Sequence, residues 1–270
     1  MLKKKLLKFL PIGIFDSGVG GLTVIKSLIK ELPHENFIYL GDTARAPYGS
    51  RSANTIEKYT EEDINFLLKQ SIKLIVCACN TASAVALPKI VSKIPVPVIG
   101  VIDPMIKVIK ANRNLTIGIL GTRATINSKA YQNKLKKALP SSKIFNIACP
   151  LLVPLIEEGW LNSSVTRAVI RQYLTPLLKQ QLNILILGCT HYPLIRKQIS
   201  KFLPETLILD SGTAVSKAVE QLLAAKDLLN PQKQKGKIKF FVTDSPAQFN
   251  QVSKVFLSDL SSARAKQVRL

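Results

Sequence analysis

Short apolar runs alternate with helix-patterned segments along almost the whole chain, and that alternation restricts the fold more than any other feature. Apolar runs at 12–15, 37–40, 74–76 and 98–102 lie in the first part, and runs at 115–120, 143–148, 184–187 and 206–209 in the second. Helical periodicity over 21–31, 53–70, 82–93 and 166–180 separates them. Apolar runs of this length read as buried parallel strands, and strands alternating with helices predict βαβ units in a doubly wound α/β sheet.

A chain of 270 residues has room for two such lobes. The two parts echo each other: IGIFDSG (12–18) resembles IGILGTR (117–123), and LIVCACNTA (74–82) resembles LILGCTHYP (185–193). The expected architecture is therefore α/β with two pseudo-symmetric lobes, each a mainly parallel sheet flanked by helices, and an active site in the cleft between them. The expected divisions are a basic leader over 1–11, a first lobe over 12–103, a second over 104–210, and a segment over 211–270 that returns to the first lobe. That last segment reads as a helix, a polar loop with Pro231 and Gly236, a strand at 238–242 and a helix from about 246 to 257.

Several function classes fall away on composition. No run approaches the ~18 apolar residues of a membrane span. The start, MLKKKLLKFL, has a signal peptide's charged beginning, but Lys8 interrupts its apolar part, Pro11 follows, and Asp16 falls where a cleavage region would form. The expectation is a cytoplasmic enzyme. Four cysteines do not make a disulfide framework in a chain of this size, and Cys77 and Cys79 lack the second ligand pair that a zinc site needs. The formal charge of +21 favours anionic partners, and residues 104–150 hold nine Lys and Arg with no Asp or Glu. No basic-aromatic interleaving accompanies that charge, so a solvated face is the simpler account.

The chemistry concentrates where apolar runs end. CNTAS (79–83) and GCTH (188–191) each place a cysteine just beyond a strand and before small and hydroxylic residues that suit a helix start. Unpaired N–H groups and the helix dipole favour a thiolate there. Cys79 and Cys189 in matched contexts suggest a base and an acid facing each other across one substrate. Free cysteine is among the most buried residue types, and that bland reading is kept for Cys77 and Cys149. Asn80 and Thr81, with Thr190 and His191, offer amides, hydroxyls and N–H groups to an α-carboxylate or α-ammonium, and the two threonines also suit N-caps. FDSGVGG (15–21) follows a strand but lacks the GK[ST] ending of a phosphate cradle, so its glycines are expected to let the backbone approach a small ligand. Asp16 is a candidate for orienting a catalytic group or binding an ammonium. Tyr48 and Gly49, in the turn-rich loop GDTARAPYGS (41–50), are candidates for contacting a carboxylate.

Together FDSGVGG, GDTARAPYG, CNTAS, PLLVPLIEEG (150–159) and GCTHYP resemble the glutamate racemases of the aspartate/glutamate racemase family, in the family's order and over roughly residues 12–257. The resemblance implies a cofactor-independent isomerase that interconverts L- and D-glutamate for peptidoglycan synthesis. It implies Cys79 and Cys189 as the catalytic thiols, and Asp16, Ser17, Tyr48, Gly49, Asn80, Thr81, Thr190 and His191 as substrate-binding positions. Asp16 and His191 would also tune the thiols, with Glu157 as an acidic auxiliary near the cleft; no metal is implied. The implied partners are L- and D-glutamate, in some relatives a cell-wall precursor such as UDP-N-acetylmuramoyl-L-alanine as activator, and a second copy in a homodimer. Aspartate racemase is the near alternative, but those enzymes tend to carry His after CNTA and Glu after GCT, where this chain has Ser83 and His191. From another class, a binding protein for an acidic partner, DNA or DNA gyrase, would use the positive charge.

Overall fold

The computed structural model describes residues 6–109, 114–257 and 264–270. Two sheets carry the fold. The larger is ordered β10-β9-β2-β1-β3-β4, from strands β1 (Ile12–Asp16), β2 (Phe37–Gly41), β3 (Leu74–Cys77), β4 (Val98–Gly100), β9 (Ile238–Val242) and β10 (Ala265–Gln267). The smaller is ordered β6-β5-β7-β8, from β5 (Thr116–Gly121), β6 (Lys143–Ala148), β7 (Ile184–Gly188) and β8 (Leu207–Asp210). All neighbouring strands are parallel. The fold is the α/β architecture of two helix-flanked parallel sheets that the apolar pattern predicts.

The strand orders β2-β1-β3-β4 and β6-β5-β7-β8 trace the same path, so β1 corresponds to β5 and β3 to β7. The sequence echoes fall on these central pairs. Gly13 and Gly118 are counterparts, and each is closely packed by the end of an aliphatic side chain. A Cβ at Gly13 would come within 2.8 Å of Ile72 Cδ1, and one at Gly118 within 2.9 Å of Leu185 Cδ1.

Alternation along the strands divides the core. Ile12, Ile14, Leu74 and Val76 join a cluster that runs through helix Leu22–Glu31 and helix Ser211–Ala225 into the second sheet's interior. Phe15, Ile75 and Cys77 face the other way, with Leu40, toward Ile56 and Leu67 of helix Ala53–Leu68. This settles the direction of Cys77, a core thiol whose Sγ accepts from Ser83 Oγ at 3.3 Å. Residues 1–5 of the leader lie outside the described residues. Lys8 bonds Asp227 at 2.6 Å, and its carbonyl accepts from Lys73 Nζ at 2.7 Å. Lys73 is itself buried against Glu35 at 2.5 Å.

Two helices differ from their periodicity, and proline explains both. The pattern over 82–93 becomes Asn80–Val85, Leu87–Ile90 and a 3-10 turn Val91–Lys93, because Pro88 has no N–H to continue the ladder and its ring crowds the carbonyl four residues back. The pattern over 166–180 becomes Ser164–Leu174, capped by Ser163 Oγ, which accepts from Thr166 N at 3.0 Å, and ended ahead of Pro176.

Candidate active site

Ladder register sets the two thiols in equivalent places. In the first sheet Gly13 pairs with Ile75, and Cys79 follows four residues later; in the second Gly118 pairs with Leu185, and Cys189 follows four residues later. By eye the strings LIVCACNTA and LILGCTHYP align Ala78 with Cys189. The register corrects this by one residue, so that Cys79 matches Cys189, Asn80 matches Thr190, and Ser17 matches Thr122.

The surroundings of the thiols are not symmetric. Cys79 caps helix Asn80–Val85: its Sγ accepts from Ala82 N at 3.5 Å and donates to Ser17 Oγ at 3.6 Å. Cys189 instead precedes a 3-10 turn, Tyr192–Ile195, in which Pro193 takes an early position. The expected α-helix start is therefore absent on this side, and a side chain stands in for it. Cys189 Sγ lies 3.8 Å from His191 Nδ1, and His191 Nε2 lies 2.9 Å from Glu157 Oε1. Both thiols are nearly inaccessible, Cys79 at 4% and Cys189 at 6% exposure. The expected N-caps also change: Cys79, not Thr81, caps the first helix, and Thr190 bonds a carboxylate instead.

Asp16 ties the lobes together. Its Oδ2 accepts from Gly18 N at 3.1 Å and its Oδ1 from Thr190 Oγ1 at 3.3 Å, while Thr23 Oγ1 donates to the carbonyl of Thr190 at 2.9 Å. The glycine-rich turn serves this junction. A Cβ at Gly20 would lie 2.3 Å from Thr190 Oγ1 and 2.4 Å from His191 Nδ1, so the close approach is to the other lobe rather than to open space for a ligand.

Electrostatics separate the two sides. Burial pushes the Cys79 thiol up to about 12, with the Asp16 and Cys189 charges adding to it and the Ala82 N–H and Ser17 opposing. Burial likewise raises Asp16, against the opposing charge of His191. Burial by itself would depress His191, but hydrogen bonds to Cys189 and Glu157 outweigh it and carry the imidazole up to about 10. These bonds favour the protonated imidazole, whose Nδ1 lies 3.8 Å from Cys189 Sγ.

The remaining expected residues divide. Thr81 Oγ1 forms a hydroxyl triangle with Thr122 at 2.9 Å and Thr125 at 3.3 Å, across the lobes. Gly49 packs against Thr122, where a Cβ would come within 2.4 Å. Asn80 Oδ1 accepts from Tyr131 at 2.7 Å, and its Nδ2 is buried without a partner in the protein. The hydroxyl of Tyr48 is turned inward to Asp42 and to Asp63, the latter at 2.8 Å. The hydroxyl expected to contact a ligand carboxylate is thus engaged inside the protein. A cleft of about 140 Å³ is lined by Gly18, which bonds Asp16, and Glu157, which bonds His191, together with Gln248, Phe249 and Val252; neither thiol is among its lining residues.

Sequence reading missed Thr122, Thr125, Tyr131 and the Asp42–Asp63 pair. The echo of 12–18 in 117–123 contained a signal for the first, since it sets Thr122 opposite Ser17.

The Asp/Glu/Hydantoin racemase family model matches residues 15–219, a span that holds both thiols and all their partners named above. The chain belongs to that racemase family. Among curated relatives, glutamate racemase of Syntrophus aciditrophicus (strain SB) is 45% identical over 92% of each chain. Among solved structures, glutamate racemase from Francisella tularensis subsp. tularensis SCHU S4, in complex with D-glutamate, superposes with a TM-score of 0.91 at 39% identity, covering 97% of this chain and 98% of that one. The Escherichia coli glutamate racemase, in complex with L-glutamate and the activator UDP-MurNAc-ala, gives 0.77 at 26% identity, covering 97% and 100%. Racemases of this family are isomerases. No helix among the described residues is long and apolar enough to cross a membrane.

Proposed function

We propose that this racemase interconverts L- and D-glutamate, with Cys79 and Cys189 as the two proton carriers. The equivalence of the two thiols in the paired sheets carries the reading, because inverting a carbon centre needs one proton acceptor and one donor on opposite faces. One thiolate takes the α-proton, leaving its electron pair on carbon, and the opposite thiol delivers a proton to the other face. The roles exchange in the reverse direction. His191, protonated beside Cys189, resets that thiol, and Asp16 serves Cys79 through their mutual charge interaction.

The α-proton is far less acidic than a thiol, so the carbanion depends on a dry site rich in fixed dipoles. Supporting this, the unpartnered Nδ2 of Asn80 is a donor left for an anionic ligand, and Thr81, Thr122 and Thr125 supply hydroxyls beside Gly49 for the distal carboxylate. A division into lobes over 12–103 and 104–210, with 211–270 returning to the first, would put these groups on facing walls. Supplying D-glutamate to peptidoglycan is the corresponding cellular role, in the cytoplasm, and UDP-MurNAc-ala is the activator to test.

The deciding experiment is incubation with L-glutamate in D2O, without added cofactor, followed by circular dichroism and α-proton NMR. Loss of optical signal together with deuterium entry is expected. Unchanged signals, with and without UDP-MurNAc-ala, would reject glutamate as substrate, and aspartate would be tested next. The charge of +21 supports a second contact with DNA. Salt-sensitive binding in a fluorescence assay is the expected sign, and its absence at low salt would end that reading.

A further inference from the structure

We infer that Tyr131 is a positioning residue for the reaction proposed above, crossing from the second lobe to hold the Asn80 carboxamide with its Nδ2 turned to the substrate. The inference rests on that functional reading and deepens it. Tyr131 stands in the first turn of helix Ala130–Ala138 and is 2% exposed. A buried phenol needs an acceptor for its proton, and Tyr131 finds Asn80 Oδ1 at 2.7 Å. Asn80 directly follows Cys79, and its other end, Nδ2, is buried with no partner in the protein.

A carboxamide has two chemically different ends, and rotation by half a turn exchanges donor for acceptor. Fixing Oδ1 on a hydroxyl proton selects the orientation that offers N–H to a ligand, which suits a carboxylate and repels nothing. Burial raises the Tyr131 phenol, with the Ser211 hydroxyl beside it opposing, so it is a neutral hydroxyl able to donate. The ring also lies beside the second thiol's strand. A Cβ on Gly188 would lie 3.5 Å from Tyr131 Cε2, so the ring fills the space next to the glycine that precedes Cys189. One side chain therefore bonds the residue after one thiol and lies beside the residue before the other.

Tyr131→Phe keeps the ring beside Gly188 and removes only the hydroxyl. With the wild type turning over glutamate in the same assay, KM for both enantiomers is expected to rise about tenfold while kcat stays within about threefold. In an Asn80→Ala background the same change should move KM less than about twofold, because Tyr131 acts through Asn80. A purely structural role would lower kcat/KM alike in both backgrounds. A KM for Tyr131→Phe within about twofold of wild type, or an undiminished effect in Asn80→Ala, overturns the proposal. Should Tyr131→Phe not fold, Asn80→Asp decides: it still accepts from Tyr131 but has oxygen in place of Nδ2. A rise in KM of about a hundredfold supports the assignment and one below about threefold overturns it. A wild-type chain that does not racemise glutamate overturns the functional reading itself, before any variant is compared.

Discussion

Thr190 Oγ1 donates to Asp16 Oδ1 across the two lobes at 3.3 Å, joining the residue after Cys189 to the carboxylate whose charge acts on Cys79. The two thiols are thus linked by one short path as well as by topology. The junction is tight because Gly20 has no side chain to keep the lobes apart.

Each thiol should be needed for inversion. Cys79→Ser and Cys189→Ser are expected to lower kcat by about three orders of magnitude or more, since a serine hydroxyl is a far poorer base. The fold should survive, as both substitutions are close in volume. Circular dichroism of racemisation and thermal unfolding measure the two effects separately; near wild-type turnover in either variant would exclude the two-thiol mechanism.

Gly20→Ala should disturb the site more than the fold. The added methyl meets Thr190 Oγ1 and His191 at 2.3–2.5 Å, so the turn must shift away from the second lobe. An overpacking cost of about 1–3 kcal/mol is expected. A fall in kcat/KM of about a hundredfold should accompany it, because reacting groups tolerate little misplacement. Steady-state kinetics beside a denaturant titration distinguishes this from an effect on stability alone.

His191 makes stability and activity sensitive to alkali. Its folded-state value of about 10 lies above the ordinary 6.5, so its pairing stabilises the fold fully below about pH 6.5 and is lost as pH rises through about 10. Glu157→Gln removes one of the two partners that raise the imidazole and should move its titration toward neutral pH. The chain has two histidines, so ring NMR in a His34→Gln background follows His191 alone. An unmoved titration in Glu157→Gln would show that Glu157 has no part in holding the charge.

The hydroxyl of Tyr48 touches two buried carboxylates, Asp42 and Asp63, but has a single proton to give. With Asp42 as acceptor, Asp63 must donate, which agrees with burial and the Asp42 charge raising it well above the ordinary range. Asp63→Asn keeps a donor at that place and should change stability by less than about 1 kcal/mol at neutral pH. Asp63→Ala should cost about 1–3 kcal/mol, because the Tyr48 oxygen loses the donor given to it by Asp63 and Arg45 loses a carboxyl 3.5 Å away. Because the folded-state value is raised, stability from Asp63 is fully present below pH 3.8 and declines as pH rises through the folded value; Asp63→Asn should flatten that dependence. Chemical denaturation across pH measures both.

Lys73 and Glu35, buried at 1% and 2% side-chain exposure, form an ion pair below the leader. Lys73→Met leaves Glu35 buried without its cation and should cost about 3–5 kcal/mol, while Lys73→Met with Glu35→Leu should recover only part of it, because the carbonyls of Lys8 and Leu228 and the N–H of Asn230 lose their partners. Thermal unfolding of the two variants tests this.

Much of this protein was legible in the chain. Apolar runs alternating with helical periodicity specify parallel strands, because a strand buried on both faces has no polar side to show. The strings around Cys79 and Cys189 announce cysteines just beyond strand ends, since the local order of strand, cysteine and hydroxylic residue depends only on neighbours in sequence. The helix limits set by Pro88 and Pro176 are local too, since each proline acts on its own helix. Other features were decided by tertiary structure alone. The one-residue correction that makes Cys79 match Cys189 comes from backbone pairing between strands 62 residues or more apart in sequence, Gly13 with Ile75 and Gly118 with Leu185. The inward turn of Tyr48, the grip of Tyr131 on Asn80 and the elevation of His191 all depend on which side chains from distant segments meet in a dry interior. Hydrogen bonding and desolvation act through space over a few ångströms, and only the folded chain determines what lies within that reach.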